Sequence, residues 1–183
     1  MKPSPLFERN VRSDPETALV TAGQLFAVIA FAAVCLAFHW FGEQGWVPLL
    51  DSANLALHEA GHPLVSIFSS RATVYGGTLF QLVFPLAAAV HFHRSATPAG
   101  VAGAIVWLGE NLFNIARYMA DARAQELPLV GNGEHDWTEI FSRWHVLHLD
   151  GRIAGITRGI GLILIAGAVV WLYRRWRQPR QRS

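Results

Sequence analysis

Residues 46–68 read WVPLLDSANLALHEAGHPLVSIF, an apolar segment that nevertheless carries Asp51, His58, Glu59 and His62. Ionisable side chains are costly inside a bilayer and mark functional positions there by default. His58 and His62 are four residues apart, which puts both imidazoles on one helix face, where they can share a tetrahedral zinc. Glu59 projects about 100° further round the helix and can reach a water bound to that metal. In a chain with eight histidines and eight glutamates this pattern arises by chance only about 0.015 times. Gly61 leaves room beside the metal for a substrate backbone or a neighbouring helix. Pro63 cannot donate to the carbonyl of Glu59, so a kink is expected at the metal-binding turn.

Outward from this segment the chain is equally apolar. Of its 183 residues 52% are hydrophobic and only 15% charged, with a mean hydropathy of +0.27. A soluble domain carries about a quarter charged residues, so the deficit places the chain in the membrane class. The reading is an all-α polytopic membrane protein with about five apolar segments, near residues 18–41, 46–68, 74–92, 98–120 and 153–173, forming four to five transmembrane helices. Residues 1–17 form a polar leader, 18–173 a single membrane domain, and 174–183 a basic tail holding Arg174, Arg175, Arg177, Arg180 and Arg182. Such a tail stays on the cytoplasmic side of an integral membrane protein, here expected in a bacterial inner membrane. Five full crossings then leave the amino terminus outside, against the hint of Lys2, Arg9 and Arg12. A re-entrant third segment, broken at Gly76-Gly77, is the alternative that puts both ends inside. No nucleic-acid recognition motif accompanies the arginines, so the bilayer is the expected partner and nucleic acid is not. Cys35 is the only cysteine, which excludes an internal disulfide and a multi-thiolate zinc site.

A catalytic zinc needs a third protein ligand and an open position for water. Glu110, Asn114, Arg117 and Asp121 fall at i, i+4, i+7 and i+11 and make one polar stripe on the fourth segment. It reads either as a self-compensating ladder or as the face that supplies the missing ligand. Depth in the bilayer favours Glu110, because Asp121 lies near the far end of its segment. Glu134-His135-Asp136-Trp137 is a further cluster. It reads as a solvated loop with an interfacial tryptophan, and His135 and Asp136 become ligands only if the loop folds back over the site. His145 and His148 read as interfacial, His39 as a membrane-end residue, and His91 and His93 do not share a helix face.

The His58–His62 motif in a membrane segment, followed by Arg71-Ala72-Thr73-Val74-Tyr75-Gly76-Gly77, resembles the site-2 protease class of intramembrane zinc metalloproteases. The resemblance covers roughly residues 47 to 121. It implies a zinc cofactor, Glu59 as catalytic base, a glycine-containing hairpin after the metal helix, and a later Asn and Asp. Asn114 and Asp121 match these last two, with Asp121 the implied third ligand and Asn114 near substrate. The family's proline after the Asn and its Leu-Asp-Gly are absent, since Asp121 precedes Ala122-Arg123. The expected function is hydrolysis of a peptide bond in or near the bilayer, with a transmembrane protein as substrate. The alternatives are a non-hydrolytic metal-binding assembly or regulatory factor and a small transporter that uses the Glu110–Asp121 stripe.

Overall fold

A computed structural model describes residues 18–42, 45–130 and 135–178. The polar leader, Glu43-Gln44, Glu134 and the last arginines, Arg180 and Arg182, lie outside the described residues. Six α-helices follow in order: α1 Ala22–Phe41, α2 Leu50–Ser66, α3 Thr73–Arg94, α4 Pro98–Ala120, α5 Asp136–Arg143 and α6 Asp150–Arg177. The described residues are all-α, and four helices, α1, α3 (with the turn before it), α4 and α6 (likewise), are long and apolar enough to cross a membrane. The molecule is a polytopic membrane protein.

Local signals set the helix ends. Thr21 and Gln24 form a capping box, Thr21 Oγ1 accepting the Gln24 N–H at 3.1 Å and Gln24 Oε1 accepting the Thr21 N–H at 2.9 Å. Pro98 opens α4, where its missing N–H costs nothing. α4 is the axis of the bundle and packs against α1, α2, α3, α5 and α6. In its most apolar stretch 56% of residues are buried, against 22% for the other three spans. One core joins Leu25, Val28, Ala32 and Cys35 of α1, at helical spacing, to Ala102, Val106 and Phe113 of α4 and to α6. The other joins Ile115, Ala116 and Met119 of α4 to Trp137, Ile140 and Phe141 of α5. Outward-facing Phe26, Ile29, Ile156 and Ile163 are exposed, as lipid-facing positions must be.

The helices approach closely where glycines allow it. A Cβ on Gly161 of α6 would sit 2.7 Å from the Gly109 carbonyl of α4. α2 and α3 meet in the same way, since a Cβ on Gly76 would lie 2.5 Å from the Gly61 carbonyl. Gly61 thus makes room for a neighbouring helix. Gly76 and Gly77 do not break the third segment: α3 is continuous through them, and the glycines serve packing. The apolar segment that falls short of a full span is α2. Its 17 residues span about 25 Å, short of the roughly 30 Å hydrocarbon core. It starts beside the middle of α4, where Asn54 meets Trp107 and Glu110, and ends beside the start of α3, where His62 meets Thr73. The helix runs on through Pro63 to Ser66.

The glycine contact between α4 and α6 is open to a simple check. Gly161→Ala is expected to lower stability by about 1–3 kcal/mol in thermal unfolding of detergent-solubilised protein. Gly103→Ala, whose added Cβ meets nothing within 4 Å, should be neutral or slightly stabilising.

Candidate metal centre

The turn His58–His62 of α2 presents two imidazoles whose ring centroids lie 4.9 Å apart. Each ring is held by α3 through Nδ1. His62 Nδ1 lies 2.9 Å from the Thr73 carbonyl, which can only accept, so this nitrogen carries the hydrogen. His58 Nδ1 lies 2.9 Å from Gln81 Oε1, and Gln81 Nε2 in turn donates to Asn114 Oδ1 at 3.4 Å. With both Nδ1–H groups committed, both Nε2 atoms point the same way. They converge on one oxygen, Asp136 Oδ2, at 2.9 Å from His58 and 3.3 Å from His62. Gly77 lets His58 reach this position, because a Cβ there would fall on the imidazole.

His58, His62 and Asp136 form a group that can hold a metal ion, with one donor atom from each residue all within 4.8 Å of one another. The donor set fits a cation on electrostatic grounds. In neutral rings the two Nε2 atoms present lone pairs to a carboxylate oxygen, an arrangement that is repulsive unless a metal ion, or a proton on one ring, sits among them. Burial opposes the charge on Asp136, but with a proton on a neighbouring ring the imidazole hydrogen bonds and charge outweigh burial and hold its carboxyl below the usual carboxylate range. The centre borders a cavity of about 750 Å³ lined by Glu59, Asn114, Arg117 and Tyr118, with Leu127–Val130 along one wall. Tyr118 Oη accepts the Asp136 N–H at 3.1 Å.

Asp136 opens α5, and the preceding residue prepares it. His135 is the helix N-cap, its Nδ1 accepting from the Thr138 N–H at 3.3 Å. That leaves the hydrogen on Nε2, which faces Asp121 Oδ2 at 3.3 Å, close but poorly aligned for a hydrogen bond. Burial holds the His135 imidazole below its ordinary value despite Asp121, so the ring is kept neutral. Asp121 also accepts the Glu126 N–H at 2.9 Å and the Leu127 N–H at 3.1 Å. Asp121 therefore ties the start of the α4–α5 connection to its end, one residue before Asp136.

The polar stripe of α4 divides among different partners. Glu110 Oε2 accepts from Asn54 Nδ2, one turn before His58, at 2.8 Å in a fully buried network that includes Asp51. Asn114 meets Gln81, and the Arg117 guanidinium stacks over Trp46 at 5.2 Å. Neither Glu110 nor Asp121 joins the two histidines; Asp136 does. The cluster at His135–Trp137 is not a solvated loop with an interfacial anchor, because all three residues are buried and Trp137 belongs to the core. Of the sequence candidates the structure gathers His58, Glu59, His62, Asn114, Arg117 and Asp136 at one cavity. Sequence reasoning missed Gln81, Tyr118 and the Thr73 carbonyl. Gln81, an amide within an apolar span, was a usable signal. Tyr118 had only its place beside Arg117, and the Thr73 carbonyl had none. His39 is a packing residue stacked on Phe113 at 4.3 Å.

Comparison with family models, curated proteins and solved structures finds no match to the chain.

Metal content of protein purified without chelators separates the carboxylates. Asp136→Ala should lose stoichiometric metal and Glu110→Gln should keep it. Asp121→Ala should retain the site but bind roughly 10- to 100-fold more weakly in chelator competition, the scale for loss of an orienting partner. Full affinity in Asp136→Ala, or complete metal loss in Asp121→Ala, would reverse these roles.

Proposed function

We propose that the protein is a membrane-embedded zinc metallohydrolase, of the general type of the site-2 proteases, that cleaves peptide bonds at the bilayer. The observation that carries this reading is the convergence of His58 Nε2, His62 Nε2 and Asp136 Oδ2 beside Glu59 on a single cavity. Two histidines and one carboxylate are the ligand set of a catalytic zinc that keeps a fourth position for water. Bonds of about 2.0–2.1 Å to a tetrahedral zinc put donor atoms roughly 3.3–3.4 Å apart. The two separations from Asp136, 2.9 and 3.3 Å, lie near that value.

When bound, zinc acidifies the attacking water and polarises the scissile carbonyl. Glu59 takes the proton that water loses as its oxygen bonds to the carbonyl carbon. Glu59 then delivers that proton to the amine nitrogen as the C–N bond breaks, leaving an amine and a carboxylic acid that releases its own proton to water. Negative charge grows on the carbonyl oxygen in between. Tyr118 offers its hydroxyl hydrogen for that charge, because its oxygen already accepts from Asp136 N–H. Asn114, whose Oδ1 is taken by Gln81, offers its amide hydrogens. The cavity lies within the range of small-ligand pockets and suits a short extended peptide rather than a folded domain.

Two substitutions test the chemistry on a transmembrane-segment peptide in detergent. Glu59→Gln is expected to keep zinc and lower cleavage by at least about 10²-fold. Tyr118→Phe should keep zinc and lower kcat by roughly 10²-fold with little change in KM. Zinc-loaded wild type that cleaves no better than Glu59→Gln would favour a metal-binding assembly or regulatory factor instead.

A further inference from the structure

We infer that the metal cavity opens on the side of the membrane opposite the cytoplasm, so that its substrates are peptide segments presented at the outer boundary of the bilayer. The side to which the cavity opens follows from helix direction and charge alone. The substrate clause rests on the hydrolase reading above.

Helix direction is fixed by pairwise contacts. Along α4 the sequence Gly109, Phe113, Met119 and Arg123 meets Ile165, Gly161, Thr157 and Asp150 of α6, so the two helices are antiparallel. The end of α6, with Arg174, Arg175 and Arg177, therefore lies with the start of α4. The Ser95–Thr97 turn between α3 and α4 lies at that same end. α1 begins there too, since Leu25 shares a core with Ala102 and Leu172, while its far end stacks His39 on Phe113. At the opposite end lie the start of α3, the close of α4, α5 and the metal ligands. The even number of spans puts both ends of the described bundle on one side, and the short α2 is what makes this so.

Lysine and arginine favour the end away from the metal. In the sequence, Lys2, Arg9 and Arg12 precede α1, Arg94 closes α3, and five arginines run from Arg174 to Arg182, so nine of the 15 Lys and Arg residues flank the span ends away from the metal. The other six are in the metal half: Arg71, Arg123, Arg143 and Arg152 near its boundary, and Arg117 and Arg158 within α4 and α6. Short flanking segments with the excess of Lys and Arg remain cytoplasmic. The cavity, walled by Leu127–Val130 at the other end, then faces outward. The Glu59 carboxylate works in water that enters from outside the cell.

Cysteine labelling of the full chain in bacterial cells tests this without a substrate. The single native cysteine, Cys35, is fully buried and gives a low background. Exposed Ala124 marks the metal end and exposed Gln178 the tail end. A membrane-impermeant maleimide is expected to label Ala124→Cys in intact cells and Gln178→Cys only after permeabilisation. Labelling of Gln178→Cys in intact cells, or of Ala124→Cys only after permeabilisation, overturns the inference. Both variants are labelled in denatured protein as the reactivity control. A failure of the zinc reading would show in metal content and leave this labelling pattern unchanged.

Discussion

The site depends on one commitment: the Nδ1 atoms of His58 and His62 are both spent on acceptors of α3. Gln81 Oε1 takes one and the Thr73 carbonyl takes the other. A histidine held through Nδ1 has no choice but to present Nε2, so two hydrogen bonds aim two donors at one point. Those bonds require α2 and α3 almost in backbone contact, and Gly61, Gly76 and Gly77 make that contact available. Residues that look like a loosened hairpin in the sequence are therefore the means by which a packed helix pair orients the two imidazoles that could hold a metal.

The helical framework was legible because it rests on long-range apolar runs and strong end signals. Each of the five apolar segments became a helix, and α4 carried its polar stripe inward as lipid demands. Half of the site was equally legible, since an i, i+4 histidine pair flanking a glutamate is a local pattern. The carboxylate that the structure brings to the two histidines was not. Depth along α4 placed Glu110 near the right level, but helix phase and a one-turn offset set it against Asn54 instead. Asp121 follows the helix and turns back onto the backbone N–H groups of Glu126 and Leu127. Whether a carboxylate after the last turn of a span reaches inward is decided by the connection that follows. That connection holds Asp136 through Trp137, Ile140 and Phe141, which anchor α5 in the core.

Asp51, Asn54 and Glu110 form a second polar layer beneath the metal centre, and its cost needs an account. Burying a carboxylate without partners costs several kcal/mol. Here Asp51 accepts the Val47 N–H at 2.6 Å, both carboxyls share the Asn54 amide, and Trp107 Nε1–H donates to Asn54 Oδ1 at 2.8 Å. The layer closes the start of α2, where the cap residue Leu49 adopts φ 66° and makes no side-chain cap bond. Asp51 in the first turn supplies the negative charge that a helix N-terminus favours. Glu110, the first residue of the α4 stripe, is thereby held in a layer that fixes the depth at which the short helix begins, and with it the height of His58, one turn after Asn54.

That depth has a chemical consequence. A full-length α2 would carry His58 through the middle of the hydrocarbon, where water is scarce. Beginning at the level of Glu110, α2 instead leaves space that Trp46, Asn114 and Arg117 line as one cavity with Glu59. The opposing wall, Leu127 to Val130, is apolar and half-exposed to exposed. A hydrolytic site in a membrane must admit both water and a peptide through one opening. Polar groups on one wall hold the water, and apolar side chains on the other can be covered only by an apolar partner. On the hydrolase reading, an extended apolar segment would rest against Leu127–Val130 and direct its carbonyl toward Tyr118 and Asn114. Selectivity would then come from how readily a segment unwinds to lie flat on that wall, and only weakly from the identity of its side chains.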